Sequence, residues 1–203
     1  MSSDKKQRIM QAAEQLFRTR QFHEITLDEV AKVADVGKGT IYLYFSDKED
    51  LFFQTAVAGF DEMCELLRQN ATSGITFRDG LLRTCETVSG FFRQRRPLFR
   101  MILSQGERAM ECGGGLRKRW LEHRKNMTGA VAAIIARGMA SGDIRSDIPA
   151  EVLADYLLGM VRTRAWELED QPEPMRSHQA LVDLFTQGAA HPTAPEHTGI
   201  SNP

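Results

Sequence analysis

No apolar run in this chain approaches the roughly 20 residues that a membrane-spanning helix needs. The opening MSSDKKQR is charged and has no apolar segment behind it, so a secretory leader is not expected either, and the expected location is the cytoplasm. Cysteine is scarce: Cys64, Cys85 and Cys112 are odd in number and unrelated in spacing, which argues against a disulfide framework and a zinc site. Cys64 and Cys85 fall among apolar residues, as core positions would. Cys112, followed by three glycines, is open to reading as a reactive thiol or as an inert loop residue. The five histidines are scattered, no nucleophile-elbow sequence occurs, and neither cofactor nor metal is expected. No stretch alternates at period two for long enough to make a sheet. An excess of one charge is missing too: Lys and Arg number 26 against 27 Asp and Glu, and residues 1–50 carry eight basic side chains against nine acidic ones. The expectation of a basic domain is thereby not met, and any DNA contact must rely on where a few positive groups point, on helix starts and on duplication in a dimer.

What the chain does have is helical periodicity. With 42% hydrophobic and 26% charged residues over 203 positions, it reads as a soluble globular protein, one large domain or a small one joined to a larger one. Residues 5–20 place Ile9, Ala12, Ala13, Leu16 and Phe17 on one face of a first helix. Thr26 and Glu29 stand at capping-box spacing, so a second helix starts there and runs to about residue 34. Asp35-Val36-Gly37 ends it within three residues, Asp35 being able to take a left-handed backbone. A short third helix over 38–44 buries Ile41 and turns Gly39 and Leu43 outward, with Thr40 and Tyr42 flanking them and Phe45 sharing the buried side. Ser46 and Glu49 repeat the capping-box pattern and open a fourth helix, expected to continue to about residue 69. A helix, a tight turn and a short helix held between two caps form the outline of a helix-turn-helix DNA reader.

Further helices are expected at about 77–93, from Pro97 with Leu98, Phe99, Met101, Ile102 and Leu103, at 116–141, at 149–169, and up to about 187, with a loop over 106–115. The expected fold is all-α with about nine helices. It comprises an N-terminal three-helix helix-turn-helix domain over 1–50, a larger helical domain over 51–189 and a disordered tail over 190–203.

The order of Ile9, Ala12, Leu16, Phe17, Phe22, Thr26, Ile41, Tyr42, Phe45, Lys48 and Leu51 resembles the N-terminal pattern of the TetR family of transcriptional regulators. Its most specific piece is the run Thr40-Ile41-Tyr42-x-x-Phe45-x-x-Lys48-x-x-Leu51. Gly142-Asp143-Ile144-Arg145, followed by Asp147, is similar to a family turn between later helices. Three residues depart from the pattern. Gln21 stands where the family commonly has glycine, Asp35 stands at the usual turn glycine, and Gly37 replaces the usual serine cap of the third helix. Glycine there weakens the cap by roughly a few tenths of a kcal/mol and removes a hydroxyl that could touch phosphate.

On physical grounds the third helix fits the major groove of double-stranded DNA. Gly39 permits close backbone approach, Thr40 can bond a base edge or phosphate, and Leu43 can meet a thymine methyl. Thr26, Lys38 and Lys48 sit at helix starts, where amides and the helix dipole favour an anion; with the hydroxyls of Tyr42 and Tyr44 they are the candidate phosphate contacts. Each also has a plain structural reading: Thr26 as a cap, Lys38 as a solvated charge, Tyr44 as a partly buried ring. One short helix specifies little DNA, so a homodimer on a near-palindrome is expected. Val152, Tyr156, Leu157, Val161, Leu181, Leu184 and Phe185, on the last two long helices, are candidates for its interface or for intramolecular core.

The resemblance implies a ligand cavity in the larger domain, with Phe60, Met63, Phe92, Phe99, Trp120, Met127, Tyr156, Met160 and Trp166 as candidate lining; the same residues also fit an ordinary packed core. A small, largely apolar effector bound there would shift the fourth helix and release the protein from its operator, repression being the commoner mode in the family. Arg93, Arg95, Arg96 and Arg100 are readable as an anion preference or as a solvated face. Two other classes stay open: a small-molecule carrier whose reader has lost DNA affinity, and an enzyme. Against the latter, Gly39 rather than Ser or Thr follows Lys38, as a phosphate-binding loop would not allow. No membrane partner is expected.

Overall fold

The computed structural model describes residues 2–72, 74–96, 98–99 and 114–190, and every element among them is helical. The expected helix start at Pro97 with Met101, Ile102 and Leu103, residues 106–113 of the loop expected over 106–115, with Cys112, Arg100 and the tail from 191 lie outside the described residues, and Gly114 and Gly115 are already helical. In chain order the elements are α1 (Ser2–Thr19), a 3-10 turn (Phe22–Glu24), α2 (Leu27–Val33), α3 (Lys38–Tyr42), α4 (Lys48–Ala56), α5 (Phe60–Thr72), α6 (Phe77–Gln94), α7 (Gly114–Ser141), α8 (Ala150–Trp166), α9 (Glu173–Arg176) and α10 (His178–Gly188). None among the described residues is long and apolar enough to cross a membrane. No group of three or more His, Cys, Asp or Glu among them is placed to hold a metal.

The chain forms two compact units. The first takes residues up to Leu66 together with Thr87–Met127; the second takes Leu67–Glu86 and the chain from Thr128 onward. In the first, Ile9, Ala13, Phe17, Ile25, Val30, Ile41, Phe45 and Leu51 are each exposed by 1% or less and make one core. Phe52 closes it, edge-on to Phe17 at 4.9 Å and to Phe22 at 5.3 Å. Helices as short as α2 and α3 would not persist alone in water. Removal of such side chains from water, worth about 1.5–3 kcal/mol each, is what keeps them folded.

Local signals decide where these helices begin. The amide of Glu29 donates to Thr26 Oγ1 at 3.3 Å and the amide of Thr26 to Glu29 Oε2 at 2.9 Å, the reciprocal pair that the capping-box spacing predicts. Asp35 adopts φ 51, left-handed as expected of the turn. The third helix ends at Tyr42 rather than 44. The cap expected at Ser46 is displaced by one residue: Asp47 caps α4, its carboxylate accepting from the Asp50 amide at 2.7 Å, while Asp50 Oδ2 accepts from the Ser46 amide at 3.1 Å. An anionic cap also meets the positive end of the helix dipole, which a serine does not do. The continuous helix expected to residue 69 is broken as well. At 57–59 the chain turns, with Gly59 at φ +76, a conformation that costs glycine little, and α5 starts afresh.

In the second unit, Leu81 and Cys85 of α6, Val131, Ile134 and Ile135 of α7, Leu157 and Val161 of α8 and Val182 of α10 are buried. Gly138 lets α7 pass the ring of Phe77 at a distance that a Cβ would not allow. Arg137 donates to the carbonyls of Ala71 and Thr76 at 3.1 and 3.2 Å, and Arg78 pairs with Asp183 at 2.5 Å. Burial pushes the Cys85 thiol up to about 12, so it stays protonated and inert at neutral pH.

Candidate nucleic-acid interface and aromatic cluster

Two arginines fix the reader. Arg8 of α1 donates to the carbonyls of Ala34 at 2.7 Å and Asp35 at 3.2 Å, and lies 3.3 Å from the Asp35 carboxylate. These carbonyls end α2 without helical partners, so Arg8 closes the helix from outside it and places positive charge at its negative end. At the other end Arg20 pairs with Glu29 at 2.8 Å and donates to the Glu24 carbonyl. The Arg20 bond, assisted by the Thr26 amide and hydroxyl, holds the Glu29 carboxyl down to about 2. Neither arginine stands out in the sequence, because both occupy positions on α1 or at its exit that read as solvated.

The candidate recognition surface lies on and just after α3. Tyr42 and Leu43 are 51% and 79% exposed, and Gly39 has open space where a side chain would stand. Thr40 is half-buried, its amide bonded to the Gly37 carbonyl at 2.8 Å. Gly37 supplies no side-chain cap.

The phosphate candidates fare differently from one another. Lys38 is bonded to Asp28 at 2.9 Å, and both side chains remain more than half exposed, at 54% and 62%. That bond raises the lysine's pKa. So exposed a pair is weak enough for another anion to replace it. The Thr26 hydroxyl donates to Glu29 Oε2 at 3.1 Å and accepts from the Glu29 amide at 3.3 Å, both bonds belonging to the cap. Tyr44 packs against the core, 6.4 Å from the Phe45 ring. Lys48, at the start of α4, is engaged within the protein. Its ammonium donates to the Phe22 and Ile25 carbonyls, each at 3.0 Å, and lies 4.3 Å from the Phe22 ring centroid. It is a clasp between α4 and the segment before α2.

Beyond the reader, in the same compact unit, aromatic rings form a chain. Phe60 meets Phe91 at 5.6 Å, Phe91 meets Phe92 at 5.6 Å, Phe92 meets Phe99 at 4.7 Å and Phe99 meets Trp120 at 5.8 Å. His123 joins from α7, 5.0 Å from Phe60 and 5.9 Å from Phe53. Four of the expected lining residues, Phe60, Phe92, Phe99 and Trp120, are thus brought together. Phe53, Phe91 and His123 belong with them, though only their place on the folded helices shows it. Met63 and Met127 are buried in this unit. Tyr156, Met160 and Trp166 lie on α8 in the second unit, Tyr156 with 65% of its surface exposed.

One ion pair joins the cluster's helix to the reader. Arg119, beside Trp120, bonds Asp50 in the first turn of α4 at 2.7 Å, and the Asp50 side chain is only 14% exposed. Gln54 donates to the same carboxylate at 3.0 Å. Burial alone would raise the Asp50 carboxyl, but the bonds from Arg119, Gln54 and the Ser46 amide outweigh it and hold it below its ordinary value. The Arg119 guanidinium also covers the Phe53 ring at 4.6 Å.

The candidate dimer residues separate into two sets. Leu157, Val161, Leu181 and Phe185 are buried within the subunit and have almost no surface left for a partner, whereas Val152, Tyr156 and Leu184 are exposed. The apolar stripes of α8 and α10 therefore each serve two faces.

Residues 9–55 match the family model of bacterial regulatory proteins of the tetR family, and residues 75–185 match that of the tetracyclin repressor-like C-terminal domain. An uncharacterized HTH-type transcriptional regulator of Bacillus subtilis, YhgD, is 26% identical over 189 residues, 91% of this chain and 96% of that one. The HTH-type transcriptional repressor AcnR of Corynebacterium diphtheriae is 26% identical over 155 residues, 76% of each chain. The solved structure of the transcriptional regulator FadR from Bacillus subtilis, in complex with stearoyl-CoA, shares the fold with a TM-score of 0.72 at 22% identity, over 90% of this chain and 98% of that one.

Proposed function

The chain belongs to the TetR family of bacterial regulatory proteins; from that premise we propose that it is a homodimeric, ligand-responsive repressor that reads a near-palindromic operator. Gly39, Thr40, Tyr42 and Leu43 face the major groove, and Lys38 exchanges Asp28 for a backbone phosphate. Lys48 and Thr26 act through position, holding α4 and α2 in place. Val152, Tyr156 and Leu184 form part of the face that pairs two copies.

A small, largely apolar effector enters among Phe60, Phe92, Phe99 and Trp120 and weakens the grip on DNA. The observation that carries this reading is the bond between Arg119 and Asp50. Any ligand that moves Trp120 moves its neighbour Arg119, and Asp50 is one hydrogen bond from the Ser46 backbone at the exit of the reader. The stearoyl-CoA complex of FadR supports an effector with a long apolar part.

The test is footprinting and fluorescence anisotropy on DNA upstream of the protein's own gene. The expected result is a protected near-palindrome, with affinity falling steeply as salt rises, as phosphate neutralisation requires. Binding that ignores salt and sequence, or no binding at all, would leave a small-molecule carrier as the better description. In the same assay Arg119→Gln should keep the operator complex but blunt its release by an apolar ligand.

A further inference from the structure

A recess lies in the first compact unit, lined by residues other than the aromatic rings and bordering them at Arg95. Lys6, Gln11 and Glu14 of α1, Thr55 and Ala58 at the end of α4, and Arg95 beyond the end of α6 line a cleft of about 410 Å³. Arg95 is its unusual member. Its guanidinium is half-buried, lies 4.4 Å over the Phe91 ring and stands where a side chain at Gly59 would meet it at 3.5 Å. Its Nε is buried and has no hydrogen-bond partner among the described residues. Burial disfavours its charge and Arg18 adds to that, while Glu14 and Glu62 offset it from beyond ion-pairing distance.

A guanidinium taken partly out of water normally acquires an anion, because its donors are arranged for two oxygens and its desolvation is otherwise uncompensated. The rest of the lining leaves room for one. Lys6 adds a positive charge, its ammonium 5.8 Å from the Phe45 ring centroid. The Thr55 hydroxyl is already bonded to the Leu51 carbonyl at 2.7 Å and does not compete. Lys6 and Arg95 against Glu14 leave the lining with one positive charge in excess.

We propose that this cleft binds one carboxylate or phosphate group of a small molecule, with Arg95 as the principal donor. The site abuts the turn between α4 and α5, so an anion there ties the end of α4 to α1 at the point where the backbone is left-handed. The inference does not require an effector in the aromatic chain, although the Arg95 guanidinium, stacked on Phe91, forms a polar edge of that chain.

Calorimetry on the full chain with dodecanoate, dodecyl phosphate, dodecanol and inorganic pyrophosphate tests it. At least one anion should bind, and Arg95→Gln should weaken it ten-fold or more while leaving dodecanol unchanged; Arg95→Lys should keep most of the affinity. Pyrophosphate binding would identify a free anion as the ligand, and binding of the dodecyl anions alone would identify the acidic end of an apolar molecule. Glu14→Gln, which removes the cleft's carboxylate without touching Arg95, should tighten the anion several-fold and covers the case in which Arg95→Gln fails to fold. No anion bound by the wild type, equal anion affinity in Arg95→Gln, or no gain in Glu14→Gln overturns the site. Loss of operator binding in the wild type would instead sink the repressor reading and leave the anion measurement standing.

Discussion

Around α2 and α3 the chain is held by directional bonds: Arg8 on the last carbonyls of α2, Arg20 and Thr26 on Glu29, Lys38 on Asp28, Lys48 on two carbonyls. Around Phe60 and Phe91 the chain is held by rings 4.7 to 6.2 Å apart, with the Arg119–Asp50 ion pair at 2.7 Å tying them to the reader. Hydrogen bonds fix angles and distances, whereas ring contacts tolerate offset and edge-on arrangements of similar energy. A reader must keep one geometry against DNA, and a ligand site must yield. The proposed division between reading DNA and binding an effector rests on that contrast.

Three substitutions test the contrast, from the largest effect downward. Phe45→Ala removes a ring that is 1% exposed from the reader's core and should cost about 3–5 kcal/mol in urea unfolding. A loss below about 1 kcal/mol would show that the polar lattice alone sustains the reader. Phe60→Met, a soft replacement in the ring chain, should cost less than about 1.5 kcal/mol while changing which apolar ligands release the operator complex. Equal losses at the two positions would erase the distinction. Glu29→Gln should have the smallest effect, and one that depends on pH. The carboxyl is held at about 2 in the folded chain against an ordinary 4.5. Its contribution is therefore complete above about pH 5 and lost as pH falls from 4.5 toward 2. The stability gap between wild type and variant should close over that window; a gap constant down to pH 2 would mean that Arg20 and Thr26 do not favour the ionised form.

The reader was the legible part of the sequence because its determinants are local. Thr26 and Glu29 are three residues apart, Asp35 adjusts its own backbone, and Ile41 and Phe45 share a face through helical spacing alone. The bonds of Lys48 leave no mark in the sequence, because its acceptors lie 26 and 23 residues away. Aspartate caps a helix as well as serine does, so the shift of the cap from Ser46 to Asp47 is decided by the folded backbone. The apolar run through 51–67 carries no mark of the break at Gly59, since glycine is compatible with either outcome. On α8, Leu157 is buried and its neighbour Tyr156 is exposed, although both belong to one apolar stripe. Periodicity identifies such a stripe but not which edge of it faces the subunit's own core.

The turn at Gly59 makes α4 a short lever. Its nine residues span about 14 Å at 1.5 Å per residue. A rotation of about 10° at the glycine end would carry the Asp47 end sideways by roughly 2 Å, more than half the 3.4 Å rise of one DNA base step. In a symmetric pair of such levers the displacements add when they swing apart and also when they swing together, opening or closing the span between the two reading heads. The sense of rotation, rather than its size, would then decide whether a bound molecule loosens the operator or tightens it.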